Sequence, residues 1–155
     1  MTKNQDTTNR WEVEGIANSS KFPVSFAIIE LVRFHRTMAS DLLREIGLFP
    51  GQELLLMQLW HTDNQSQKSL GNSLGINHTT VTKSVQRLEE AGLVTRKRSD
   101  LDKRVTLVSL TQAGMDLKED VFNIWRTLES TVTENLSDEE KSVFLDLVKR
   151  ILNKG

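Results

Sequence analysis

The 155-residue sequence contains no cysteine, so disulfide staples, thiolate metal sites and thiol redox sensing are excluded for these residues. Net charge is nearly absent as well. Lys and Arg number 20 against 21 Asp and Glu, so the chain as a whole gives no electrostatic argument for a polyanionic partner. No apolar run approaches the roughly 18 residues of a membrane span, and the N-terminal MTKNQDTTNRWEVEG lacks the apolar stretch of a secretory signal. The expectation from these absences is a cytoplasmic protein with no membrane partner. Catalytic signatures are missing too: there is no phosphate-cradling glycine loop, no nucleophile elbow and no Ser-His-Asp grouping, and an enzyme is not expected. His35, His61 and His78 fall on three different predicted helices without an i, i+4 histidine partner, so neither a metal site nor a cofactor is expected.

What is present is helical periodicity. The first 21 residues are polar and read as a flexible N-terminal arm. From Phe22 to Ile46, Phe26, Ile29, Val32, Ala39, Leu43 and Ile46 recur at three- and four-residue steps, which predicts one long helix. Ile28, Leu31, Phe34, Met38 and Leu42 widen its apolar stripe beyond what one neighbour covers. Gly47 ends this helix, and Pro50 is expected in the first turn of the next, PGQELLLMQLWHT. Ser66 can cap a short helix carrying Leu70 and Leu74, closed by Gly75, and Asn77 can cap NHTTVTKSVQRLEEAG. Two helices joined by a short turn containing glycine have the sequence shape of a helix-turn-helix. On the second, Val81, Val85 and Leu88 face inward, leaving His78, Thr79, Thr82, Lys83, Gln86 and Arg87 on an outer face free of acids until Glu89.

Next comes GLVTRKRSDLDKRVTLVSL, residues 92–110. Two strand-like runs, LVTRKR and VTLVSL, bracket a charged turn, so a hairpin is expected. Residues 77–104 carry seven cations against four acids, net +3, whereas the segments on either side are net negative. Thr111 is placed to cap another long helix bearing Leu117, Val121, Ile124, Trp125 and Leu128. The SDEE at 137–140 reads as a capping box for a last helix with Val143, Phe144, Leu147, Val148 and Ile151.

The fold class is therefore mainly α with a small β-hairpin. It comprises a long first helix (22–49), a winged helix-turn-helix lobe (50–110) and C-terminal helices (111–155). In such a lobe the second helix enters the major groove of double-stranded DNA, and the hairpin tip can lay an arginine in the adjacent minor groove, where the negative potential is concentrated. Arg104 is the candidate for that insertion. Asp102 can hold its side chain extended through a bidentate pair. Arg96, Arg98 and Lys103 are the candidates for phosphate contact.

The stretch LGINHTTVTKSVQRLEEAGLVTRKRSDLDKRVTLVSLTQAG, with its D-x-R at Asp102-Lys103-Arg104 and its LT-x-AG, resembles the MarR family of bacterial transcription regulators. The resemblance extends from about Phe22 to the C-terminus. It implies a homodimer formed through dimerisation helices at 22–49 and 111–155, whose two recognition helices read an inverted-repeat operator, and a repressor released by a small aromatic or phenolic ligand. His35, Arg36, Met57, Trp60, Phe122 and Trp125 are the residues expected to line the ligand pocket. Two positions depart from the family pattern. Leu101 stands where proline is frequent, which is expected to leave the wing tip more mobile. Phe49 stands where a capping Ser or Thr is frequent, and it is expected to pack into a core. The competing reading is a winged-helix protein-interaction module, which would present apolar residues where this chain has Lys83, Gln86 and Arg87.

Overall fold

A computed structural model describes residues 19–153, so the expected N-terminal arm lies, up to residue 18, outside the described residues. The helices follow the periodicity: α1 (Pro23–Glu45), α2 (Gln52–His61), α3 (Gln67–Leu74), α4 (His78–Glu90), α5 (Gln112–Asp116), α6 (Lys118–Val132) and α7 (Asp138–Leu152). Three strands complete the fold, β1 (Gln65–Ser66), β2 (Val94–Arg98) and β3 (Thr106–Leu110). The chain forms two compact units, residues up to Met38 and residues from Ala39 onward, with α1 running through the boundary.

The core of the second unit is built around α2. Its sequence QELLLMQLWH is apolar on nearly every side, which suits a helix surrounded by neighbours, and it packs against α3, α4, α6 and β3. Leu55, Leu56 and Leu59 are buried there with Leu43, Leu70, Val81, Val85, Leu88, Val94, Val108, Val121 and Leu128. Burying each such side chain stabilises the fold by roughly 1.5–3 kcal/mol. The three inward positions expected on α4 are its three buried residues, and Val108 is the buried centre of β3.

Local chemistry fixes the element ends. The side chains of Ser66, Asn77, Thr111 and Ser137 accept hydrogen bonds from the N–H groups of Ser69, Thr80, Gly114 and Glu140, so all four expected caps form. The Ser137–Glu140 capping box closes reciprocally. Gly114 is required for a different reason. A Cβ there would lie 2.1 Å from the carbonyl oxygen of Leu93, so the chain after β3 can dock against the end of α4 only with glycine at this position.

Three expectations need correction. Pro50 is not in the first turn of α2: Gly51 occupies the N-cap position at φ 94°, a left-handed conformation that favours glycine, and the helix starts at Gln52. Phe49 does not enter a core but is 59% exposed. The missing hydroxyl cap is replaced by two side chains of the helix itself, since Gln52 Oε1 accepts from the Phe49 N–H at 2.9 Å and Glu53 Oε2 from the Gly51 N–H at 2.7 Å. The long helix after Thr111 is broken at Leu117 into α5 and α6. The carbonyl of Gly114 accepts from Trp60 Nε1 at 3.0 Å, and a side chain entering the backbone ladder is a sufficient cause of a helix break.

The hairpin also gains a strand. β1 pairs antiparallel with β3, giving the order β1-β3-β2. α7 has no buried residue, and its apolar positions Val143, Phe144, Leu147 and Ile151 are exposed. In the first unit, Val24, Ile28, Leu31 and Val32 of α1 are exposed as well.

Candidate nucleic-acid interface

Two surfaces carry the functional candidates of the second unit: the outer face of α4 and the β2–β3 wing. On α4, His78, Thr79, Lys83, Gln86 and Arg87 are exposed along one side of the helix, as the 3.6-residue period requires. Thr82 is half-buried, and its hydroxyl has no hydrogen-bond partner among the described residues. Gln86 donates along the helix to Glu90 at 3.0 Å. The guanidinium of Arg87 lies over the ring of Phe49, 5.7 Å from its centroid, so the exposed phenylalanine forms a cation–π contact with a recognition-helix cation.

Strand parity divides the cations of the wing. Cross-strand partners share a face, and Arg96 is opposite the buried Val108 whereas Lys97 is opposite Leu107. Arg96 accordingly turns toward α4 and meets Glu89: Nε and Nη2 approach Oε2 at 2.8 and 2.6 Å, and the Arg96 backbone N–H donates to Oε1 at 3.0 Å. This ion pair fastens the wing to the recognition helix, and Arg96 holds Glu89 below the usual carboxylate range. Glu89, Arg96, Arg98 and Thr106 line part of an open concavity between the two elements.

At the tip the acids are occupied by cations. Asp102 Oδ1 accepts from the Arg104 backbone N–H at 3.0 Å and from Nε at 3.1 Å, and Oδ2 accepts from Nη2 at 3.2 Å. The expected bidentate pair is therefore formed, with the Arg104 side chain 92% exposed. Asp100 lies 3.0 Å from Lys103 Nζ and 3.5 Å from Lys97 Nζ. Both carboxyls are held below their ordinary range, Asp102 chiefly by the hydrogen bond from Arg104 and Asp100 chiefly by that from Lys103. Arg98 Nη1 donates to the Arg104 carbonyl at 3.3 Å. The base of the wing is anchored from the loop after α2, where Asp63 Oδ1 accepts from the Leu110 N–H at 3.0 Å and Asn64 Oδ1 from the Ser109 hydroxyl at 3.1 Å.

Sequence reasoning found the Asp102–Arg104 pair because its partners are two residues apart. It missed the roles of Glu89, Asp100, Asp63, Asn64 and Phe49. Of these only Asp100, three residues from both of its lysines, had a local spacing to find it by. The expected ligand-lining residues fall in both units. His35 and Arg36 lie on α1 in the first, and Met57, Trp60, Phe122 and Trp125 on α2 and α6 in the second. Trp60 and Phe122 meet edge to face at 5.9 Å, and Lys118 Nζ lies 5.5 Å from the Phe122 centroid. Among the described residues no cluster of three or more His, Asp or Glu could hold a metal ion, and no helix is long and apolar enough to cross a membrane.

The profile described as "MarR family" matches residues 48–106, the segment from the approach to α2 to the start of β3. The organic hydroperoxide resistance transcriptional regulator of Bacillus subtilis is 38% identical over 74% of this chain and 79% of its own length. A MarR transcriptional regulator from Methanosarcina mazei Go1 superposes with a TM-score of 0.74 at 27% identity, covering 84% of this chain and 94% of that one. The overoxidized AbfR bound to DNA superposes with a TM-score of 0.67 at 30% identity, covering 83% and 88%. Fold, wing and relatives together define a winged helix-turn-helix transcription regulator rather than an enzyme. The chain belongs to the MarR family.

Proposed function

We propose that this chain is a cytoplasmic homodimeric repressor that reads an inverted-repeat operator in double-stranded DNA and is released by a small aromatic or phenolic ligand. The observation that carries the DNA half is the pairing of an outer α4 face whose exposed charges before its last residue, Glu90, are Lys83 and Arg87 with an exposed Arg104 held extended by Asp102. In this reading His78, Thr79, Lys83, Gln86 and Arg87 face base edges and phosphates in the major groove, with Thr82 at the margin. Arg104 enters the minor groove, and Arg98 and Lys103 lie along phosphates. Arg96 has the different task of setting the wing against α4 through Glu89.

The uncovered apolar residues of α7 and of α1 support a second copy as the partner, because contiguous exposed apolar surface marks an interface. For the ligand, Met57, Trp60, Phe122 and Trp125 of the second unit supply half-buried apolar and aromatic surface. One relative is named for organic hydroperoxide resistance, but these 155 residues hold no thiol, so any oxidant response here would be indirect. The test combines light scattering with hydroxyl-radical footprinting on a duplex recovered by the protein from a random pool. The expected result is twice the chain mass and two protected half-sites about one helical turn apart. A monomer, or one unpaired footprint, contradicts the reading.

A further inference from the structure

Leu101 is the one large apolar side chain of the wing tip, and it is 100% exposed. Its surroundings are charged. Lys97 and Lys103 flank Asp100, and Arg104 is paired with Asp102, so the tip presents an apolar side chain among cations whose acid neighbours are already occupied. Contrary to the mobile tip expected from the missing proline, the backbone beneath it is hydrogen-bonded: the Ser99 hydroxyl oxygen accepts from the Leu101 N–H at 3.2 Å and from the Asp102 N–H at 3.4 Å, and the Val105 N–H donates to the Asp102 carbonyl at 2.9 Å.

A partner for this tip must attract cations and also accept an aliphatic side chain. The DNA minor groove meets both demands. Its potential is negative, its walls are the C–H surfaces of deoxyribose, and an A·T floor lacks the guanine amino group that projects from G·C pairs. An anionic membrane offers the same charge, but one leucine buries too little surface to anchor there.

We infer that Leu101 is a specificity-determining residue, packing against the minor groove beside Arg104 and favouring A·T over G·C pairs at the outer flanks of the operator. This rests on the operator-binding reading above. Because Leu101 carries no charge, its contribution adds affinity without releasing counterions, which separates it from Arg104.

The experiment selects bound duplexes from a random-sequence pool with the wild-type chain, Leu101→Ser and Leu101→Met, then measures affinity on A·T-flanked and G·C-flanked versions of the selected site. Leu101 buries nothing in the free protein, so both variants are expected to fold, which circular dichroism checks. The expected result is an A·T preference at the flanks for wild type and Leu101→Met. Leu101→Ser should keep the inner half-site bases, lose the flank preference and bind the A·T-flanked site about five- to tenfold more weakly with an unchanged salt slope. Wild-type flank preference and affinity in Leu101→Ser overturn the inference, as does an equal loss on both flanks. A wild-type selection that yields no consensus removes the operator reading and this inference together, whereas a clear consensus with an indifferent Leu101→Ser removes only this inference.

Discussion

Arg104 has almost its whole side chain in solvent, yet two hydrogen bonds to Asp102 restrict where its guanidinium points, and a third ties its backbone N–H to the same carboxylate. Pre-orienting a long side chain lowers the entropy lost when it docks. Asp102→Ala is therefore expected to weaken DNA binding although it removes a negative charge from the interface, while charge alone predicts a gain; an anisotropy titration reads the sign directly. A parallel case is Phe49, whose ring lies under Arg87. A double-mutant cycle of Phe49→Ala and Arg87→Ala on folding stability should show coupling of about 0.5–1 kcal/mol, the size of an exposed cation–π contact, and strictly additive effects contradict the contact. The legibility of the two pairs differs for a physical reason. Asp102 and Arg104 are joined by a turn, so their spacing implies contact, whereas Phe49 and Arg87 meet only after α2 has packed on α4. Nothing near Phe49 announced that contact.

At the scale of elements, the wing is attached by Glu89 to Arg96, by Asp63 and Asn64 to the Leu110 N–H and the Ser109 hydroxyl, and by Gly114 against Leu93. Gly114→Ala forces a Cβ into a backbone carbonyl and is expected to cost about 1–3 kcal/mol or more, seen as a lower melting temperature. The Glu89 carboxyl is depressed in the folded state, so its contribution is fully present above the unfolded value, about 4.3, and is lost as pH falls through the lower folded value. An NMR titration should place its midpoint below about 4.3; a midpoint above that contradicts a formed clip. Periodicity and caps made every helix except the α5–α6 break visible, because both are encoded within one turn of chain. β1 is two residues long and too short to alternate, and the break follows from Trp60 reaching across 54 positions to Gly114. Such features are set by packing, not by local pattern.

At the scale of the whole molecule, the apolar stripes of α1 and α7 were visible in the sequence and pointed there to dimerisation surfaces. The dimer reading predicts that Phe144→Asp, at an exposed apolar position of α7, yields a folded monomer by light scattering with strongly reduced operator affinity, since two half-sites are no longer engaged together. The acid-poor outer face of α4 and the cationic wing were legible because charge and strand parity are local properties. The division of labour among the wing cations was not, since Arg96 is claimed by Glu89 only once the hairpin folds back on α4.

If α4 and the wing grip DNA together, fluorescence anisotropy over a salt series, comparing wild type with Arg104→Ala on a selected duplex and its scrambled counterpart, shows a clear preference for the selected sequence, a steep fall of affinity with salt, and a slope reduced by about one unit in the variant. Weak binding that ignores sequence, salt and substitution alike would contradict that joint grip.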